Sequence, residues 1–326
     1  MTDLKARILE RVQGDLPVIE EELRRQMTPY LDLVAEVAGH ILFSGGKRLR
    51  PLLHLLCGRL CGYAGDYGVT FSVSLEYLHA ATLLHDDLID GGTLRRGKPV
   101  AHSIYGNAVT VLVGDFLLAR ALAIAAGTGI IEVIRVMSGV TEDMSQGEIH
   151  QLHRKGDVDL TEAEYDEVIR RKTAVLFEAA CHTAALMARA DGEKTRALVD
   201  FGHHLGVGFQ MADDLIDYVS DTVTMGKPAG ADLREGKLTL PVIAALREAD
   251  AGDRRRMEAI LADTGFSDDD FEGLKVLLER NGGIRYTREK AARHIGAAKK
   301  ALEVFPLSDT RRVLEDIADY ALARKA

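Results

Sequence analysis

Apolar residues return every three or four positions through most of this chain, and only seven prolines interrupt them in 326 residues. That period lays apolar side chains along one face of an α-helix, and so few breakers leave room for long helices. Residues 161–188 (TEAEYDEVIRRKTAVLFEAACHTAALMA) carry the pattern throughout. Thr161 with Glu164 three positions on has the form of a capping box, and comparable helix starts stand at Ser267 and Asp66. VTFSV at 69–73 has the composition of a strand, but it runs into a long amphipathic pattern ending at Asp90 and is read as helix. The sequence offers no hairpin signal; loops are expected at 44–46, 91–99, 154–159 and 222–236. No low-complexity linker divides the chain, so the reading is all-α: a single domain over residues 1–326 with ten or more helices, many of them long.

Charge narrows the function. The chain has 41 lysines and arginines against 50 acids, a formal net charge of −9, which excludes a general nucleic-acid binder that would need a basic face. An anionic substrate remains open if divalent cations bridge it to the acids. The opening MTDLKARILERV is charged throughout and predicts no signal peptide. The most apolar long stretch, 107–126, contains Asp115 and Arg120, so it is expected to be a core helix and not a transmembrane segment. A soluble, cytoplasmic protein is the expectation. Cys57 and Cys61 lie four apart with no third ligand nearby, which favours small buried apolar residues over a metal site.

One pentapeptide occurs twice: DDLID stands at 86–90 and again at 213–217, each time after a long apolar helical stretch. On a helix, residues i and i+4 share a face and i+1 is turned by about 100°. Asp86 and Asp90 therefore address one volume with Asp87 at the flank, and Asp213, Asp217 and Asp214 repeat the arrangement. Like charges at this spacing destabilise a bare helix, as does negative charge near its C-terminus. Cations would relieve both, and carboxylate oxygens with no thiolate or imidazole among them suit Mg²⁺, which also binds substrate phosphates. An isolated DDxxD is more often an exposed acidic turn; two copies ending apolar helices argue for two facing metal-binding walls.

Basic residues stand beside glycines in GGKRLRP (45–51) and RRGKP (95–99), where backbone can approach a phosphate closely. RRGKP begins five residues after Asp90, so an acidic helix end is followed at once by two arginines able to hold a diphosphate. Lys172 with Thr173, and Lys227 with Lys237, could complete such a clamp. His79 lies seven residues before Asp86, on the same helix face, within reach of a second phosphate.

These residues carry a specific resemblance. From about residue 20 to the C-terminus the chain closely resembles the all-trans polyprenyl diphosphate synthases. GGKRLRP, LLHDDLIDGGTLRRGKP, GNAVTVLVGDFLLARA, GEIHQL, RKTAVLFEAA, GFQMADDLIDY and GKPAGADLREGKLTLP appear in that family's order. The resemblance implies a bundle of long helices around a central cavity, usually in a homodimer, with the aspartate clusters facing each other at the mouth. It implies three Mg²⁺ ions held by an allylic diphosphate with Asp86, Asp90 and Asp213, while Asp87, Asp214 and Asp217 act as further or more distant ligands. Position by position, it places Arg95, Lys172, Thr173, Gln210, Lys227 and Lys237 around the allylic substrate, and Lys47, Arg50, His79 and Arg96 around isopentenyl diphosphate. It also implies head-to-tail condensation: the allylic diphosphate departs, the double bond of isopentenyl diphosphate attacks the allylic cation, and the departing pyrophosphate takes the proton.

Product length is read from the turns ahead of Asp86. Thr82 and Ala81 occupy the positions where short-chain members carry a bulky aromatic, and Leu78 one turn earlier is only of medium size. Small side chains leave a path open, so the expectation is a long product, around octaprenyl, made from farnesyl or geranylgeranyl diphosphate and released with peripheral membrane contact. A geranylgeranyl diphosphate synthase is the nearest alternative. A terpene cyclase or head-to-head coupling enzyme would not need the second, metal-free diphosphate site that GGKRLRP and RRGKP supply, and a non-catalytic subunit of a heteromeric synthase would not need every aspartate and cation intact.

Overall fold

The computed structural model describes residues 2–29, 31–95, 97–219, 230–263 and 265–323. Its first half runs α1 (Thr2–Val12), α2 (Asp15–Gln26), α3 (Asp32–Leu42), α4 (Leu49–Leu60), α5 (Gly68–Ile89), α6 (Ala101–Tyr105), α7 (Asn107–Ala126) and α8 (Ile131–His153). The second half continues through α9 (Glu162–Ile169), α10 (Val175–Met187), α11 (Gly192–Val219), α12 (Ala231–Arg234), α13 (Leu240–Glu248), α14 (Ala251–Leu261), α15 (Asp268–Arg280), α16 (Gly283–Ala301) and α17 (Asp309–Ala323). The all-α reading holds.

Burial explains which helices form the centre. Phe71, Val73, Leu75, Tyr77 and Leu84 of α5 are fully buried, although they point in several directions around the helix. A helix apolar on every side belongs inside the bundle, and each such side chain contributes about 1.5–3 kcal/mol by leaving water. Helix α11 joins two apolar clusters. Its Leu198, Phe201 and Leu205 belong to the larger one with α4, α5, α7, α8 and α10, and its Met211, Leu215 and Tyr218 belong to the smaller one with α9, α13, α14 and α15. Among the described residues α7 is the one helix long and apolar enough to cross a membrane, and 39% of it is buried. It packs on α3, α5, α6 and α8, and Arg120 donates to Gln26 O at 2.8 Å, which makes it a helix of the bundle.

Local signals worked unevenly. The capping boxes at Thr161–Glu164 and Ser267–Asp270 are both closed, each worth about 1 kcal/mol. The start expected at Asp66 is not used: α5 begins at Gly68 with Tyr67 in the cap position and no side-chain cap bond. A hairpin the pattern did not announce lies in the 91–99 loop, where β1 (Leu94–Arg95) pairs antiparallel with β2 (Lys98–Pro99). Two-residue strands are too short to show alternation, and Gly97 at φ +74° supplies the turn. The helix expected through 161–188 is interrupted by one turn of π-helix, Arg170–Ala174.

Candidate active site

The first aspartate cluster closes α5, with Asp90 at its C-cap. The hairpin folds Arg95 back onto the helix it follows, and its guanidinium holds the buried Asp87 with Nε 2.8 Å from both carboxylate oxygens and Nη2 2.6 Å from Oδ1. Asp90 Oδ2 accepts from Lys237 Nζ at 2.7 Å, and the same ammonium reaches Glu235 at 2.7 Å. Burial works against the Lys237 charge, but these bonds more than offset it and hold the ammonium above its ordinary range. Burial also raises Asp86 to about 6; Lys172 opposes the shift, while Glu148 and Asp90 add to it.

The second cluster lies in the last two turns of α11. Asp214 is buried and accepts from Tyr165 Oη at 2.6 Å and Gln210 Nε2 at 2.8 Å. Burial lifts its carboxyl to about 7 against those two bonds, with Asp213 and Asp217 adding to the rise. Asp217 accepts from the backbone N–H groups of Ala231 and Asp232 at 3.2 and 3.1 Å, fixing the chain that leads to Lys237. Asp213 is exposed and lines the main cavity. The two walls face each other, because Lys237 beyond the second cluster bonds Asp90 of the first.

Between the walls sits the π-turn. A π-turn holds one residue more than an α-turn and is common at functional sites. Here it turns two consecutive side chains toward the cavity. Lys172 pairs with Glu148 and donates to Gln151 Oε1 at 2.8 Å; Thr173 donates to Gln210 Oε1 at 2.8 Å. Thr173, Gln210, Asp214 and Tyr165 thus form one hydrogen-bonded chain. Glycines on both sides allow the close approach: a Cβ on Gly147 of α8 would stand 2.9 Å from Lys172 N, and one on Gly206 of α11 would stand 2.6 Å from Ala174 Cα.

The loop before α4 carries the remaining cations. Lys47 is exposed at the cavity, its ammonium 5.2 Å from the centre of the Tyr320 ring. Arg50 lies over Phe177 at 4.8 Å; burial lowers it to about 10, so it stays charged at neutral pH. Its Nε is buried without a hydrogen-bond partner. Arg48 between them has a left-handed backbone, φ 48° and ψ 37°, a conformation that costs a non-glycine residue about 1–2 kcal/mol.

A cavity of about 870 Å³ brings Lys47, Arg50, His79, Asp86, Arg95, Lys172, Thr173, Gln210 and Asp213 together. A smaller one of about 120 Å³ adjoins it, shares Lys172, Thr173 and Gln210, and adds Asp214, Asp232 and Lys237. Of the residues read as setting product length, Thr82 lines the large cavity, whereas Leu78 and Ala81 are 2% and 3% exposed within the larger apolar cluster. Arg96 and Lys227 lie outside the described residues. Sequence reasoning gave no role to Glu148, Gln151, Tyr165 or Asp232. The first two had a signal, since GEIHQL places them three apart on one helix face; Tyr165 and Asp232 are brought in by tertiary packing alone.

The donor set suits a divalent cation. Asp90 Oδ1 and Glu148 Oε1 are buried acceptors without a hydrogen-bond partner, and the ligating atoms available near Asp86 are carboxylate oxygens, the preference of hard ions. Among the described residues no three such side chains already converge on one point, so substrate oxygens and water would complete the shell.

Known proteins share this fold. The Polyprenyl synthetase family pattern matches residues 31–275. Octaprenyl diphosphate synthase of Escherichia coli (strain K12) is 36% identical over 318 residues, covering 98% of each chain. All-trans-nonaprenyl-diphosphate synthase (geranyl-diphosphate specific) of Rhodobacter capsulatus is 35% identical over 323 residues, 99% of this chain and 98% of its own. The polyprenyl synthase from Caulobacter crescentus CB15, solved in complex with calcium and isoprenyl diphosphate, superposes with a TM-score of 0.92 at 38% identity, covering 98% of each chain. With a family match over most of its length, more than a third of its residues identical to these enzymes and the fold in common, the chain belongs to the polyprenyl synthetase family and is a divalent-metal-dependent trans-prenyltransferase that condenses isopentenyl diphosphate with allylic diphosphates.

Proposed function

We propose that this enzyme makes long all-trans polyprenyl diphosphates, around octaprenyl, from a farnesyl or geranylgeranyl primer, with three Mg²⁺ ions and as a cytoplasmic homodimer of one-domain chains. The observation that carries the reading is the chemical asymmetry of the cavity: unpaired carboxylate oxygens of Asp90 and Glu148 on one part of its surroundings, an unpaired guanidinium nitrogen of Arg50 on another. The first calls for cations and the second for an anion, which suits two diphosphates with different fates.

The allylic diphosphate belongs with Asp86, Asp90 and Asp213, since it must leave. Divalent cations bound there would supply Lewis-acid stabilisation of the departing pyrophosphate. Asp87 and Asp214 orient neighbours through Arg95, Tyr165 and Gln210, and Asp217 fixes the backbone that presents Lys237; Lys227 joins that side on resemblance alone. Thr173 and Gln210 present oxygen dipoles able to stabilise an allylic cation without trapping it. Isopentenyl diphosphate keeps its diphosphate, held by Lys47, Arg50 and His79 with Arg96. The new chain grows past Thr82. The exposed apolar face of α7, where Leu112 is 66% exposed, is the surface a second copy would cover, and product would leave by peripheral contact with a membrane.

A second reading, a product of geranylgeranyl length, draws on the burial of Leu78 and Ala81, neither of which lines the cavity. Incubation with labelled isopentenyl diphosphate, farnesyl diphosphate and Mg²⁺, followed by phosphatase treatment, separates the two. The expected result is a ladder ending at one long polyprenol that shortens in Thr82→Phe, the position that lines the cavity; a wild-type ladder stopping at geranylgeraniol supports the second reading, and no elongation of farnesyl diphosphate overturns both.

A further inference from the structure

GGKRLRP places three cations in four positions, and the structure treats the middle one differently. Lys47 and Arg50 border the cavity with charge available to it. Arg48 also borders the cavity, yet its side chain is 5% exposed and its guanidinium turns inward. Nε donates to Glu20 Oε1 at 2.5 Å, Nη1 to Glu76 Oε1 at 2.9 Å, and Nη2 to Leu42 O at 2.6 Å. Those acceptors belong to α2, α5 and the end of α3.

We propose that Arg48 is the positioning residue of the metal-free diphosphate site: its three-way anchor holds the loop in the left-handed turn from which Lys47 and Arg50 address the substrate. The inference rests on the assignment of those two residues to isopentenyl diphosphate. Its starting point is the backbone outlier. Arg48 and Arg189 are the non-glycine residues with positive φ among the described residues, and such conformations persist only where the surroundings over-determine them. Here the over-determination is visible as charge-assisted hydrogen bonds to three separate helices, the strong kind. Arg48 also opens α4, its carbonyl accepting from Leu52 N at 3.1 Å, so the anchor sets where the helix bearing Arg50 begins. Glu76 lies three residues before His79 on α5, which ties the loop directly to the helix turn carrying the third residue of the same site. Arginine suits the role because its planar guanidinium spreads its donors over three nitrogens in a fixed fork, whereas a lysine carries all of its donors on one nitrogen.

Steady-state kinetics on the full chain with farnesyl diphosphate, isopentenyl diphosphate and saturating Mg²⁺ test this. Arg48→Lys keeps the charge but loses the fork, and is expected to raise KM for isopentenyl diphosphate roughly tenfold while KM for farnesyl diphosphate and kcat stay within about threefold. Glu20→Gln removes half of one contact at a partly exposed position, so it leaves folding intact and moves the same constant in the same direction by less. Arg48→Gly removes the strain together with the anchor and is expected to behave like Arg48→Lys. If Arg48→Gly keeps the wild-type KM, the conformation alone suffices and the anchor is not needed. Equal shifts in both KM values, or a fall in melting temperature with neither KM changed, would make Arg48 a stability residue only. Lys47→Ala and Arg50→Ala serve as controls: if they leave KM for isopentenyl diphosphate unchanged, the assignment of the site itself fails, and that failure is distinct from the loss of the anchor.

Discussion

The two aspartate walls are spelled identically and wired differently. On α5 the neighbours of the cluster are cations: Arg95 grips Asp87 and Lys237 holds Asp90. On α11, among the described residues, the cluster meets neutral donors: Tyr165 and Gln210 bond Asp214, and backbone N–H groups bond Asp217. The first wall is balanced by charge from the hairpin that carries Arg95 and the segment that carries Lys237. The second is held by dipoles from neighbouring helices, and burial lifts Asp214 to about 7 against the bonds from Tyr165 and Gln210. The same five letters therefore make one wall met by cations and one met by neutral donors, and the difference comes from what packs against them.

Substitutions within the walls give the sharpest test. Asp213→Asn removes an acid at the cavity and is expected to lower kcat about 10²–10³-fold. Asp214→Asn alters a residue acting through Tyr165 and Gln210, with an expected loss of about 10- to 100-fold. Equal losses in steady-state assays would erase the distinction. On the α5 wall, Arg95→Lys keeps the charge but breaks the two-pronged grip on Asp87, and about a tenfold rise in KM for the allylic substrate is expected. On the α11 side, Gly206→Ala drives a methyl group against Ala174, and denaturant unfolding should show a loss of about 1–3 kcal/mol; an unchanged midpoint would show that the contact between α11 and the π-turn gives way without cost.

The smallest expected effect is in pH. Burial raises Asp214 to about 7 and Asp86 to about 6, whereas in the unfolded chain both ionise near pH 4. Between those values the folded protein retains protons the unfolded chain has released, so the stabilisation from these groups is complete below about pH 4 and is lost as pH rises through 6 and 7. Thermal melts of metal-stripped protein should show Asp214→Asn flattening that decline. A slope unchanged by the substitution would remove Asp214 as its source.

Much of this arrangement was legible in the sequence, for physical reasons. Helical period and scarce prolines marked α5, α7 and α8 closely, because their apolar residues recur over many turns. The repeated DDLID marked both walls, and glycine beside cations marked the loop before α4. What stayed hidden depends on tertiary packing or on single-residue geometry. Nothing in DDLID distinguishes a carboxylate that meets Arg95 from one that meets Tyr165. The hairpin at Leu94–Pro99 is shorter than any alternation a pattern can show, and Asp66 looks like a cap although the helix begins beyond it. The three cations of KRLR look alike until the backbone shows that Arg48 turns inward.

The π-turn at Arg170–Ala174 has a consequence for how this protein tolerates change in length. Deleting a residue from a buried helix ordinarily rotates everything after it and ruins the packing. Here the flanking helices α9 and α10 are separated by one surplus residue, so deletion of Arg171 would let them join as a regular helix with each flank still on its own neighbours. The fold should survive a lesion that most helices would not, while Lys172 and Thr173 could no longer both reach the cavity. Chain length at this one turn is thus under the control of chemistry rather than of folding.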